Sequence, residues 1–149
     1  MMEIVLDWRQ IEPQVDLNKC RQRTEQILRS LGCDEESVLS IIVVDSPFMA
    51  ETNLKYRGKD GPTNVLSFAQ REAGISSGDP NLLGDVVICW DRVVSDSDSL
   101  GYTIEEMFTY FLIHGILHIV GFDHDSSEHM EEMESRVNNI FNDLFPESA

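Results

Sequence analysis

The stretch TIEEMFTYFLIHGILHIVGFDH, Thr103 to His124, constrains this chain more than any other part of it. Thr103-Ile104-Glu105-Glu106 is a capping-box pattern, in which a threonine hydroxyl and a glutamate carboxylate satisfy the first free amides of a helix reciprocally. A strongly apolar helix is expected from there to about Val120, with Gly121 as its stop. The apolar run is too short to span a bilayer and carries two histidines, which points to a soluble protein.

Three of the four histidines of the chain lie inside HGILHIVGFDH. Helical residues four apart share a face, separated by roughly 6 Å of rise, so His114 and His118 project together. That suits two imidazole nitrogens each ~2.0–2.1 Å from one metal ion. His124 falls out of phase if the helix continues. Gly121 accepts a positive φ and lets the chain turn back, aiming His124 at the same ion. Three neutral imidazoles leave a fourth position for water, the pattern of a catalytic zinc site, where the metal lowers the pKa of that water to ~7. Zinc is the default; nickel, copper, cobalt or iron also suit imidazoles. His129, among acidic neighbours, reads as a surface residue. The spacing matches the metzincin protease helix at each histidine and at the glycine, but the glutamate base of those proteases is replaced by Gly115. A peptidase is therefore disfavoured.

The rest of the chain reads as an α+β domain: about four strands in a mixed sheet, packed with about five helices. EIVLDW is a short strand. LNKCRQRTEQILRSLG is an amphipathic helix that stops at Gly32. SVLSIIVVDS reads as a strand buried on both faces. Ser46-Pro47 looks like an N-cap and first helical position, opening a helix to about Tyr56. KYRGKDGPTN is turn-rich, and VLSFA and LLGDVVICW are strands separated by QREAGISSGDPN. A short helix from Asp91 to about Leu100 ends at Gly101. After the histidine helix, Asp125-Ser126-Ser127-Glu128 opens a last helix. Its Met130, Met133, Val137, Ile140, Phe141 and Leu144 form an apolar core stripe.

The 149 residues suit one domain, 1–149. MMEIVLDWRQ has no basic leader ahead of an apolar stretch, so the expected location is the cytoplasm, with no membrane partner. Cys20, Cys33 and Cys89 are odd in number and widely spaced, which favours reduced thiols over disulfides. The net charge is −16, and from Asp91 onward 13 acids face only Arg92 and Arg136. A broad nucleic-acid-binding surface is excluded on that balance. Two basic groups remain: Lys19, Arg21, Arg23 and Arg29, read as a solvated helix face, and the tight set Lys55, Arg57 and Lys59.

HGILHIVGFDH resembles the H-G-x-L-H-x-x-G-Y/F-D-H signature of the YbeY family of bacterial endoribonucleases. KYRGKDGPTNVLSF is similar to that family's R-x-x-D-x-P-T-D-V-L-S-F signature, and LLGDVVI to its L-G-D-I/V-x-I segment. The resemblance runs in order from about Val43 to Glu134. Asn64 stands where the family usually has Asp, and Ala69 where Pro is usual. The resemblance implies a single-domain, metal-dependent, single-strand-specific endoribonuclease with a zincin-like metal helix. It implies work in rRNA processing, in maturation of the 3′ end of small-subunit RNA and in ribosome quality control, with a small-subunit ribosomal protein and an Era-type GTPase as partners. It implies His114, His118 and His124 as metal ligands and Arg57 as the functional arginine, a planar cationic fork for phosphate oxygens. His114 is then a catalytic residue through the metal. Lys55 and Lys59 are candidate RNA contacts, and Asp85 and Asp123 candidate carboxylates behind the ligand imidazoles. Rival readings are another zinc-dependent hydrolase, with a nucleotide or peptide substrate, and a non-catalytic, zinc-stabilised ribosome-assembly factor.

Overall fold

A computed structural model describes residues 1–70, 81–122 and 126–146. The element order is β1 (Glu3–Trp8), α1 (Leu17–Ser30), β2 (Val38–Val44), α2 (Ser46–Arg57), β3 (Val65–Ala69), β4 (Leu82–Cys89), α3 (Trp90–Leu100), α4 (Ile104–Ile119) and α5 (Ser127–Leu144). The strands form one sheet in the order β1-β2-β4-β3. β1, β2 and β4 run parallel, and β3 pairs antiparallel with β4. The expected α+β class is what the described residues adopt, with a mixed four-stranded sheet and five helices among them. None of the described helices is long and apolar enough to cross a membrane.

Alternation along the strands sends side chains to two unequal faces. Leu39, Ile41 and Val43 of β2 and Val86 and Ile88 of β4 enter the main core with Ile27 and Leu28 of α1, the apolar body of α4, and Met133 and Val137 of α5. The opposite face holds a smaller cluster, Val44, Leu66, Val87 and Cys89 around Met49 of α2. Only the first face of β2 is fully buried, because Val38, Ser40 and Ile42 stay partly open. The expectation of a strand buried on both faces is corrected there: among the described residues α2 is the helix that packs into the second cluster, and it leaves Val38, Ser40 and Ile42 partly open.

α4 is the hub. Its capping box forms as read, with the Thr103 hydroxyl accepting from Glu106 N at 3.1 Å and the Glu106 carboxylate accepting from Thr103 N at 2.8 Å. Ten of its sixteen residues are buried, so it is enclosed on most sides. Full burial of each Leu, Ile or Phe there contributes about 1.5–3 kcal/mol. The residues left half-open include Glu106, Tyr110, His114 and His118, one every fourth position. The one open stripe of the helix is thus the stripe that carries the imidazoles.

Three boundaries differ from the sequence reading. α2 is capped by Asp45, whose carboxylate accepts from Phe48 N at 3.0 Å. Ser46 is drawn into the helix instead, its amide donating to Asp91 Oδ2 at 2.7 Å. Trp90 begins α3 rather than ending β4. Met130 is 50% exposed, so the apolar stripe of α5 starts in effect at Met133. The three thiols are free, and burial pushes Cys20 up to about 11, which removes it as a nucleophile at neutral pH.

Candidate metal and phosphate site at the sheet edge

β3 is the outer strand on the side of the sheet where α4 packs. Ser67 fastens the two together, its hydroxyl donating to the Gly115 carbonyl at 2.8 Å. Gly115 itself lies flat against the sheet. A Cβ at that position would stand 2.6 Å from Val86 Cγ1 and 3.1 Å from both Ser67 Oγ and Val65 Cγ2. A glutamate base at 115, as in the metzincins, has no room here. Gly115→Ala is expected to lower the melting temperature by a few degrees. Overpacking costs about 1–3 kcal/mol, while replacing a helical glycine returns at most ~1 kcal/mol. An unchanged or higher melting temperature in a thermal scan would show that Val86 yields freely.

Next to this contact a cavity of about 500 Å³ opens, lined among others by Arg57, Asn64, Ser67, His114 and His118. The rings of His114 and His118 have centroids 5.9 Å apart and an interplanar angle of 53°. Neither is fully buried, and His118 lies in the last turn of α4, where the negative end of the helix favours a cation. The two imidazoles thus share one face of α4 and line the same cavity. His124, read as the third ligand, and Asp123 lie outside the described residues. Among the described residues no three His, Cys, Asp or Glu side chains cluster as a metal site. Gly121 has the positive φ, 115°, that a chain turning after α4 requires.

Arg57 is the last residue of α2, ahead of the left-handed Gly58, and reaches the same cavity from the other wall. Lys55 and Lys59 are exposed beside it, and neither lines the cavity. Asn64 is held by a local bond, its Oδ1 accepting from Val65 N at 2.8 Å. The ladder bond from Cys89 N to Asn64 O makes 64 a paired position. Val65 N therefore points off the sheet edge, and the Asn64 side chain covers it. An aspartate could accept the same bond, so the amide preserves the turn while removing a negative charge from the cavity wall.

Asp85 is not where an imidazole-orienting carboxylate must be. Its neighbour Val86 faces Gly115, so alternation places Asp85 on the opposite face of β4 from α4. There burial raises its pKa above the ordinary carboxylate range, against a lowering hydrogen bond from Ser40 and the charge of Arg9. The reading of Asp85 as a partner of the imidazoles is thereby corrected. Two of the four α1 cations are held in ion pairs away from the cavity. Arg23 pairs with Glu105 at 2.9 Å, and Arg29 pairs with Glu35 at 2.9 Å. Burial pushes Glu105 up, but the bonds from Arg23 and Asp16 N outweigh it and hold the carboxyl below its ordinary value. Glu105 is nine residues before His114, roughly 14 Å along the helix. The Arg23–Glu105 pair thus sits at the far end of α4 from the cavity, and the Arg29–Glu35 pair lies on the exposed face of α1, so this group reads as a solvated and partly paired face.

Sequence reasoning passed over Tyr56, Thr63, Ser67 and Phe68, which also line the cavity. Tyr56 adjoins Arg57 and could have been suspected. Phe68 carried only the ordinary signature of a strand.

Fold and site together define a class: an α+β protein whose cavity is built on an i, i+4 histidine pair of a buried helix and an arginine, beside an edge strand. A protein-family model described as endoribonuclease YbeY matches residues 6–145. The chain is 34% identical over 142 residues to the endoribonuclease YbeY of Geobacter sulfurreducens, covering 94% of each. It is 34% identical over 126 residues to that of Syntrophus aciditrophicus, covering 85% of this chain and 78% of that one. The solution structure of TM1509 from Thermotoga maritima superposes with a TM-score of 0.64 at 25% identity, over 99% of this chain and 91% of that one. This chain belongs to the endoribonuclease YbeY family.

Proposed function

We propose that this protein is a metal-dependent endoribonuclease specific for single-stranded RNA, acting in rRNA processing at the 3′ end of small-subunit RNA and in ribosome quality control. The observation that carries the reading is the convergence of His114, His118 and Arg57 on one cavity in a chain of this family. His114, His118 and His124 hold the metal, with zinc the first choice for an imidazole set. When bound, such an ion supplies Lewis-acid polarisation and a lowered water pKa.

The chain's own residues do the remaining work. Arg57 binds the non-bridging oxygens of the scissile phosphodiester with a planar fork, and its charge opposes the negative charge that grows toward the transition state. It lines the same cavity as His114 and His118, so a phosphate bound there would meet the guanidinium together with the histidine pair. Ser67 and Gly115 keep α4 seated against β3, which fixes where both imidazoles point. Lys55 and Lys59 add positive field for the flanking phosphates, and Asp123 stands beside the ligand His124 in the chain.

The charge balance supports substrate delivery by a partner. At −16 net, the protein cannot hold RNA through a broad basic surface. A small-subunit ribosomal protein and an Era-type GTPase presenting the strand, in the cytoplasm, complete the proposal. It is tested by incubating zinc-loaded protein with unstructured RNA, duplex RNA, casein and a mononucleotide phosphate ester. Only unstructured RNA is expected to be cleaved. With three to five phosphates neutralised, log affinity for single strands falls against log salt with a slope of roughly −2 to −4. Casein hydrolysis, mononucleotide turnover without RNA cleavage, or a slope near roughly −8 would each overturn part of this reading.

A further inference from the structure

Tyr56 is 61% exposed at the end of α2, next to Arg57. A single exposed aromatic needs no explanation. This one has a setting. Its ring meets Phe68 of β3 edge to face, with centroids 5.4 Å apart and an interplanar angle of 71°. Both rings line the cavity that holds His114, His118 and Arg57. The Lys55 ammonium lies 5.3 Å from the Tyr56 centroid. An edge-on contact leaves an aromatic pair with face area uncovered, and Phe68, anchored on a strand, keeps Tyr56 from swinging. The exposed Lys55 is a flexible cover that can exchange the ring for a phosphate.

We propose that Tyr56, braced by Phe68, is the stacking platform for the unpaired nucleobase that flanks the scissile phosphate. The proposal rests on the endoribonuclease reading and adds to it the origin of single-strand selectivity. Every base offers a π-face, so such a platform tolerates sequence. In a duplex those faces are occupied by neighbouring bases and cannot reach it. Arg57 and Lys55 then engage the phosphates on either side of the stacked base, which matches a platform flanked by cations.

The test uses zinc-loaded protein and an unstructured RNA oligonucleotide, intact or with one abasic position. Stacking of one base is worth roughly a five- to hundred-fold change in affinity. Tyr56→Ala is expected to raise KM within that range, to leave kcat within about twofold, and to keep the zinc content. Tyr56→Trp restores KM. Removing the base at the flanking position costs the wild type the same factor and costs Tyr56→Ala nothing more. A 2-aminopurine at that position is quenched on binding to wild type and not to Tyr56→Ala, a signal that a purely structural role would not move. Unchanged KM and unchanged quenching in Tyr56→Ala, with an active wild type, overturn the platform alone. A wild type that cleaves no RNA overturns the endoribonuclease reading, and the platform with it.

Discussion

His118→Ala is expected to lose zinc and RNA cleavage together while the fold stays intact. His118 sits on the half-open stripe of α4, outside the set of fully buried side chains. On the proposed reading its truncation removes a metal ligand while the buried body of α4 keeps its packing, so the fold should survive the change. Zinc at about a hundred times its dissociation constant stabilises the native state by ~2.7 kcal/mol, which is about 5–10 °C in melting temperature for a chain of this size. Wild type should show that shift and His118→Ala should not. This separates metal binding from activity. Cleavage should fall by at least about a hundredfold, since a charge-stabilising group is removed from the reacting centre. Circular dichroism checks the fold, and metal analysis of the purified chain checks the ligand. Stoichiometric zinc in a variant lacking both His114 and His118 would sink the site.

Arg57→Ala should behave differently, and the contrast is the informative part. Arg57 ends α2 on the opposite wall of the cavity and is exposed. The variant should keep its zinc and its zinc-dependent thermal shift. Turnover should drop by about 10²–10³, the loss typical of a single preorganised donor to developing charge. Arg57→Lys should recover only part of it, because an ammonium restores the charge and not the bidentate fork. Single-turnover measurements with saturating enzyme separate this loss from weaker RNA binding. Turnover equal to wild type in Arg57→Ala would take the residue out of the mechanism.

The rivals separate on the same measurements. A peptidase is opposed by space as well as by composition, since Val86, Ser67 and Val65 close around Gly115. A zinc-stabilised assembly factor would show the thermal shift and no cleavage. A hydrolase of small nucleotides would cleave its substrate without dependence on the length of the RNA.

Much of this molecule is legible in the chain because the signals are local. The capping box of α4, its apolar body and the glycine after it are satisfied by residues within a few positions of each other. The same holds for the strands, whose β-branched runs specify extended backbone whatever they later pack against. The spacing of His114 and His118 needs only the pitch of a helix to bring two imidazoles onto one face. Local rules along the chain therefore specify the elements, their order and the two-histidine face.

Which face meets which element depends on long-range packing. Periodicity shows that Asp85 and Val86 point opposite ways, but not that α4 packs on the Val86 side, which sends Asp85 away from the histidines. It shows that α5 has an apolar stripe, but not that the stripe runs out of neighbours at Met130. Ser46 is a sound N-cap by its chemistry, and Asp45 holds that place because Asp91, 45 residues on, takes the Ser46 amide. The cavity itself joins the end of α2, the edge strand β3 and the open stripe of α4, segments that no local rule brings together. Burial of α4 on one face of the sheet and of Met49 of α2 against Leu66 and Val87 on the other together bring Arg57, Tyr56 and Phe68 to the cavity of the imidazoles. Hydrophobic burial has no direction along the chain, so its partners are settled by how the whole sheet and its helices close on one another.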